Sequence, residues 1–391
     1  MLTEQRKLIS KSIQTGERFD SVLRAAGWTY EDLRYERSQT KEWTGPPPLQ
    51  LDQLRQDATG MRYVSFFTGC GGMDIGLEAA GWEHVAAFEI NRVFCDTLRH
   101  NRPEWTVLGP PMHTGDVSRF DEVSELLGKS IESPFDGMFV GGPPCQPFSI
   151  AANQRFAKSG DNFKRVGFAH PENGNLLYAF IRLVVAFQPK AFLVENVPGL
   201  RDVDDGVQLA QAIRHLRKSG FSVQEPWMLN AADYGVPQHR TRLFLVGHRG
   251  RGRPRAPMPR APHVGAGSVL RINGVDGLQN AETRKHMATS VLRYMKVRYG
   301  KREQLGRVDR LDPTIPSKTV IAGGTRGGGR SHLHPEVPRT LSVRECARLQ
   351  SFPDDFVFRG SSARQFTQVG NAVPPVLAAQ LGTAIMDGLS V

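Results

Sequence analysis

From residue 62 onward, short apolar runs alternate with stretches of helical periodicity. Tyr63-Val64-Ser65-Phe66-Phe67 reads as a strand, Asp74 to Ala80 as the helix that follows, and His84-Val85-Ala86-Ala87-Phe88-Glu89 as the next strand. Asp136 to Val140, Ala191 to Val194 and Arg242 to Val246 continue the series. Strand and helix repeated in this way predict an α/β class with a doubly wound, mostly parallel sheet. The rest of the chain reads differently. Residues 1–60 are helical and polar and end in the stiff Gly45-Pro46-Pro47-Pro48 linker. After residue 247 the pattern fails, and residues 248–335 are glycine-rich and weakly periodic. Residues 336–391 regain helical periodicity at Ser342 to Gln350 and at Val376 to Leu389.

Composition narrows the class. A chain of 391 residues predicts two lobes rather than one. No two of its four cysteines form a C-x-x-C pair, so neither a metal site nor a disulfide framework is expected, and a reducing interior is. The first residues open no apolar signal core and no run of 18 apolar residues occurs, so secretion and membrane spanning are not expected. The net charge is +11, which makes nucleic acid the first candidate partner. Arg249, Arg251, Arg253, Arg255 and Arg260 fall within twelve residues that contain no acid and are spaced by glycine and proline. No regular helix or strand is expected there, and phosphate is the expected partner.

Ligands and chemistry in open α/β sheets gather at the carboxyl ends of strands. Cys145 stands there, in Gly141-Gly142-Pro143-Pro144-Cys145-Gln146-Pro147. Prolines fix φ on both sides of the thiol, so it reads as a nucleophile in a rigid turn rather than as a packing residue. The first strand runs into Phe67-Thr68-Gly69-Cys70-Gly71-Gly72, a glycine loop opening a helix. Asp74 occupies the place where a dinucleotide fingerprint needs its third glycine. Glu89 ends the second strand about 20 residues after the loop and is placed to hold ribose hydroxyls, while Asp116 is placed to accept from an adenine amine. The three together point to an adenosine-type cofactor. Glu195 closes the apolar run Ala191-Phe192-Leu193-Val194, so partial desolvation is expected to raise its pKa unless a neighbouring arginine pairs with it. Arg240 and Arg242 alternate at strand period, which puts both on one face.

In this order the blocks resemble the DNA (cytosine-5) methyltransferase family over residues 62 to 390. The glycine loop looks like its cofactor loop, Gly142-Pro143-Pro144-Cys145-Gln146-Pro147 its nucleophile motif, and Glu195-Asn196-Val197 its acid motif. Gln238-His239-Arg240-Thr241-Arg242 is similar to its paired-arginine motif. Arg344 to Gln350 and Gln368 to Pro375 are similar to its two C-terminal motifs. The resemblance implies a Rossmann-like S-adenosylmethionine-dependent methyltransferase. Its catalytic and cofactor-binding domain would span 61–247, a smaller irregular target-recognition domain 248–335, and a C-terminal return completing the catalytic domain 336–391. Residues 1–60 fall outside it.

The implied cofactor is S-adenosyl-L-methionine, held by Phe67, Cys70, Gly71, Gly72, Glu89, Ile90, Asp116, Val117, Leu176, Asn371 and Ala372. Ile90 replaces a bulkier aromatic, and Asn173 replaces a usual arginine. The implied catalytic residues are Cys145, Glu195, Arg240 and Arg242, acting on a cytosine flipped out of double-stranded DNA. Ser149 and the five arginines would touch DNA, with Arg326 and Arg330 approaching base edges. A prokaryotic cytoplasmic, nucleoid-associated monomer is expected. A restriction-modification role would add a cognate endonuclease acting on the same site without direct binding. Two alternatives stay open: a tRNA cytosine-5 methyltransferase of the DNA-enzyme-like branch, and a non-catalytic DNA-binding protein.

Overall fold

The computed structural model describes residues 1–37, 41–144, 176–260, 262–322 and 332–390. Cys145, Ser149, Arg326 and Arg330 lie outside the described residues. Eight strands form one sheet: β1 (Arg62–Phe66), β2 (Glu83–Phe88), β3 (Val107–Leu108), β4 (Gly137–Gly141), β5 (Ala191–Asn196), β6 (Ser222–Val223), β7 (Trp227–Asn230) and β8 (Thr241–His248). The described helices are α1 (Leu2–Thr15), α2 (Phe19–Ala25), α3 (Gly72–Ala79), α4 (Arg92–Asn101), α5 (Phe120–Gly128) and α6 (Leu176–Phe187). They continue as α7 (Val207–Lys218), α8 (Ala288–Tyr294), α9 (Val343–Leu349), α10 (Ser362–Asn371) and α11 (Pro375–Leu389).

The chain divides into two compact units. One holds residues 52–230, 241–258 and 377–391, and with them the whole sheet. Its strand order is β3-β2-β1-β4-β5-β8-β6, with β7 also paired to β8. The first five are parallel, as the alternation of strand and helix predicts. The strand expected over Arg242 to Val246 forms, but it runs antiparallel to β5, β6 and β7. It returns from β7 by a reversal, not by a helical crossover, so it cannot join the parallel set.

Side chains alternate across each strand, so both faces need a cover. Val64 and Phe66 pack with Phe139, Phe180, Ile181 and Val184 on the α6 side. On the other face Tyr63 donates to the Asp74 carbonyl of α3. There Trp82 donates its indole N–H to the Gly382 carbonyl of α11. The segment Ser362–Leu389 is apolar and long enough to cross a bilayer by composition, yet 78% of its apolar window is buried. It is also broken where Ala372 leaves helical geometry (ψ 147°) before Pro374.

The other unit holds residues 1–51, 231–240 and 259–376. The polar N-terminal stretch has an apolar stripe after all. Leu8, Ile9, Phe19, Val22, Leu23 and Leu33 share a core with Ala288, Val291 and Met295 of the α8 region. Arg310 lies buried between the rings of Tyr35 and Tyr299, 3.4 and 3.7 Å from their centroids. The compact units therefore cut across the sequence boundaries: residues 1–51 and the two C-terminal motifs keep company with 259–322.

The central pair β5–β8 is closed by a complementary couple. Phe192 faces Gly247 in register, and a Cβ on Gly247 would stand 2.3 Å from the Phe192 ring. Gly247→Ala is expected to destabilise the protein by about 1–3 kcal/mol, the usual scale of overpacking. Chemical denaturation measures it, and an unchanged midpoint would contradict this packing.

Candidate active site at the carboxyl edge of the sheet

The turn after β1 is held in left-handed geometry at Phe67 (φ 55°), Gly69 (φ 62°) and Gly71 (φ 83°). The two glycines suit that region at no cost; Phe67 does not. The Gly71 N–H donates to the Thr68 carbonyl at 3.0 Å, closing the turn before α3. A Cβ on Gly69 would meet nothing within 4 Å, so the loop borders open space.

Glu89 fixes the other wall. It is 6% exposed, and its two oxygens accept from the N–H groups of Gly69 and Asn91, each at 2.7 Å. No cation pairs with it among the described residues. Burial pushes its carboxyl up to about 7, against the pull of those N–H donors. Gly109 and Gly115 pack on its backbone: a Cβ on either would stand 2.1 Å from the Glu89 carbonyl. Ile90 follows at 62% exposure, an apolar face beside a polar acid. Asp116 is half-buried and accepts from the Ser118 N–H and hydroxyl at 3.0 and 2.6 Å. Val117 is buried in the core, and Leu176 is half-buried at the start of α6. Cys70 is buried and its thiol pushed up to about 12, so it is no nucleophile. Asn371 and Ala372 lie in the other unit, at the exposed last turn of α10 and its buried cap.

One residue here reads in the sequence only as a departure from a glycine pattern. Asp74 is fully buried in the first turn of α3, and neither carboxylate oxygen has a partner at hydrogen-bond geometry. Burial pushes it up to about 7, with the Ser65 side chain pulling the other way. The signal in sequence was an acid set among Met73, Ile75 and Leu77.

At the end of β5, Glu195 pairs with Arg242, Oε1 to Nε 3.0 Å, with both side chains largely buried (12% and 14% exposed). The ladder explains the contact. Glu195 faces Phe244, and Arg242, two residues along β8, is its diagonal neighbour on the same face. Burial lowers the Arg242 pKa and the Glu195 carboxylate opposes that. Glu195 and its neighbour Asn196 lie against the segment that leads to Cys145. A Cβ on Gly142 would stand 3.2 Å from Glu195 Oε2, and Asn196 donates to the Pro143 carbonyl at 3.4 Å.

Arg240 belongs to the other unit, where it is fully buried and donates to the Val320 carbonyl at 3.3 Å. Beside it Gln238 accepts from Val320 N–H at 2.8 Å and donates to Gln350 Oε1 at 3.0 Å. Gln350 donates in turn to the Val369 carbonyl at 2.7 Å. The basic stretch is irregular, as expected. Arg251, Arg253, Arg255 and Arg260 are exposed, Arg249 is half-buried, and none forms an ion pair among the described residues. Ala191 faces His248, so Arg249 to Arg253 follow β8 off the sheet at the edge opposite Glu195. Among the described residues no group of three His, Cys, Asp or Glu side chains is arranged to hold a metal ion.

A glycine loop facing an acid on the second strand, in a parallel sheet with one antiparallel strand beside β5, is the fold of S-adenosylmethionine-dependent methyltransferases. The sequence profile of the C-5 cytosine-specific DNA methylase family matches residues 61–387, and the chain belongs to that family. It is 32% identical over 351 residues to the type II methyltransferase M1.HphI of Haemophilus parahaemolyticus, covering 83% of this chain and 87% of that one. It is also 32% identical over 363 residues to M.NgoFVII of Neisseria gonorrhoeae, covering 86% and 89%. A prophage-encoded chain of Escherichia coli, described as a DNA modification methyltransferase, superposes with a TM-score of 0.66 at 25% identity, covering 85% and 100%. The protein is a DNA (cytosine-5) methyltransferase of the type II restriction-modification kind, and S-adenosyl-L-methionine is its methyl donor.

The buried acids give the fold a pH dependence with a defined sign. A carboxyl whose pKa is raised by folding holds its proton longer in the native state, so stability falls as pH rises through that window. For Asp74 the window runs from 3.8 to about 7. Asp74→Asn should therefore lose less thermal stability than wild type between pH 4 and 8, by several degrees of Tm. Parallel melting curves would refute a buried, unpaired carboxylate.

Proposed function

We propose that the chain methylates C5 of a cytosine flipped out of one specific double-stranded DNA sequence, through a covalent bond between Cys145 and C6. One observation carries this reading: Glu195, largely buried and paired with Arg242, lies against Gly142 in the segment that leads into Cys145, and Asn196 beside it donates to the Pro143 carbonyl. Cytosine C5 is a poor nucleophile. Addition of the Cys145 thiolate at C6 makes C5 enamine-like and able to accept a methyl group. Glu195 would contact N3 and the exocyclic amine, offsetting the charge that develops as sulfur adds. Arg242, already on Glu195, would meet the base oxygen O2, and Arg240 would hold the surrounding loop. The C5 proton then leaves to a base, water among the candidates, and the thiolate is expelled as the C6–S bond breaks.

The residues around the glycine loop fit the methyl donor. Open space lies beside Gly69, Ile90 offers an exposed apolar face, and the Glu89 carboxylate keeps lone pairs free for ribose hydroxyls. S-adenosyl-L-methionine, when bound, supplies an electrophilic methyl group. Phe67 would pack on the adenine and Asp116 accept from its amine, with Asn371 and Ala372 approaching from the C-terminal part of the chain. Target recognition falls within residues 248–335, with sequence reading between His263 and His334, where Arg326 and Arg330 would reach base edges; Arg251 and Arg253, at the end of the sheet opposite Glu195, stand apart from that reading. A monomer in a prokaryotic cytoplasm, beside its DNA and protecting it from a cognate endonuclease, is the setting this reading fits.

Bisulfite sequencing of DNA from cells expressing the chain identifies the methylated sequence. Cys145→Ala should abolish methylation while DNA binding persists, and 5-fluorocytosine DNA should trap the wild type covalently but not the variant. Retained methylation in the variant would end this mechanism. Glu195→Gln should slow methyl transfer by a factor on the order of 10² or more with donor affinity unchanged. A large loss of donor affinity instead would move Glu195 to the cofactor site.

A further inference from the structure

The edge of the sheet opposite Glu195 carries a second concave surface. There a cavity of about 820 Å³ opens between the β6–β7 link and the segment after β8. Arg217, Arg251 and Arg253 line it, with one acid, Glu225, the indole of Trp227, and His248. Arg217 donates to the Val223 carbonyl at 3.0 Å and approaches Glu225 only to 3.8 Å, with the Glu225 side chain 90% exposed. Arg251 and Arg253 have no ion-pair partner among the described residues. The concavity is therefore positive. His248 is 4% exposed, and its Nδ1 has no partner at hydrogen-bond geometry.

The arginines stand on a fixed backbone. Arg249 N–H donates to the Lys190 carbonyl at 2.8 Å and Arg253 N–H to the Gly388 carbonyl at 2.8 Å. Gln224 donates to the Pro254 carbonyl at 2.6 Å, and a Cβ on Gly252 would stand 2.4 Å from the Gly388 oxygen. Order is thus in place before any ligand arrives. The volume is that of a nucleotide-sized group, far more than a phosphate ion needs. Exposed Arg255 follows Arg253 two residues on, and exposed Arg214 and Lys218 neighbour Arg217 along α7. A positive concavity with an indole in its lining, flanked along the chain by further exposed basic residues, matches a polyanion with an unstacked base.

We propose that this cavity binds single-stranded nucleic acid without regard to sequence, its phosphates on Arg217, Arg251 and Arg253 and a base against Trp227. The site is separate from the edge where the target cytosine reacts. β8 runs antiparallel to β5, and four residues from Phe244 to His248 span ~13 Å along the sheet.

Fluorescence anisotropy with a labelled 15-nucleotide oligo-dT, which contains no cytosine, tests this. The wild type should bind it, with affinity falling as salt rises. The triple variant Arg217→Gln, Arg251→Gln, Arg253→Gln should lose tenfold or more, and its salt slope should fall by about 2, three contacts at ~0.7 each. Trp227→Leu should weaken binding as well; the arginine variant, altered at exposed side chains, keeps the test valid if the indole proves necessary for folding. A saturating short duplex of the methylated sequence should not displace the oligo-dT. Unchanged affinity in the triple variant, displacement by the duplex, or a loss confined to duplex binding would each overturn the proposal. Wild-type methylation, scored separately, tests the preceding reading alone.

Discussion

The antiparallel pairing of β5 with β8 is the constraint on which both ends of the sheet depend. Register fixes Glu195 opposite Phe244, and that alone makes Arg242 its diagonal neighbour at 3.0 Å. A slip of one residue would turn Arg242 to the other face and leave a buried carboxylate without its cation. The same eight-residue strand ends at His248, opposite Ala191. It therefore carries the basic stretch away from the catalytic edge. Phe192 filling the space over Gly247 is one of the contacts that holds the register.

The motifs that reveal the family divide into two physical kinds. Some bear chemistry, such as Glu195 and Arg242. Others bear weight. Arg344 is fully buried and spends its guanidinium on the carbonyls of Gln279, Pro353 and Phe356. Glu345 caps its own helix through Ser342 and pairs with Arg339 at 2.8 and 2.9 Å, which holds its carboxyl down to about 2 despite burial. Gln238, Gln350 and the Val369 carbonyl form a buried ladder linking three motifs far apart in sequence. A buried amide must find partners, so each motif constrains the others.

The cofactor side works by the opposite balance. Glu345 has a guanidinium; Glu89 and Asp74 have none, and burial raises both to about 7. Carboxyls held that way cost stability at neutral pH. Glu89 recovers part of it from two backbone N–H groups and keeps acceptor capacity for hydroxyls.

What depends on local order is legible in the residues alone. Near-continuous apolar runs end where the ladder ends, within a residue or two at Tyr63 to Phe67 and at Ala191 to Val194, because burial on both faces demands continuous apolar sequence. Glycines in the turn after β1 announce left-handed backbone, and Ser342 with Glu345 announces a capped helix. The acid Glu195, and an arginine as its alternative fate, are both visible; that the arginine is Arg242 is not. Pairing direction, diagonal contacts and burial are set by residues distant in sequence, which local periodicity does not encode. For that reason only the tertiary structure turned β8 antiparallel and gave the N-terminal helices a core on α8. For the same reason only it buried Asp74 with no cation paired to it among the described residues and carried Arg251 and Arg253 to the far edge of the sheet.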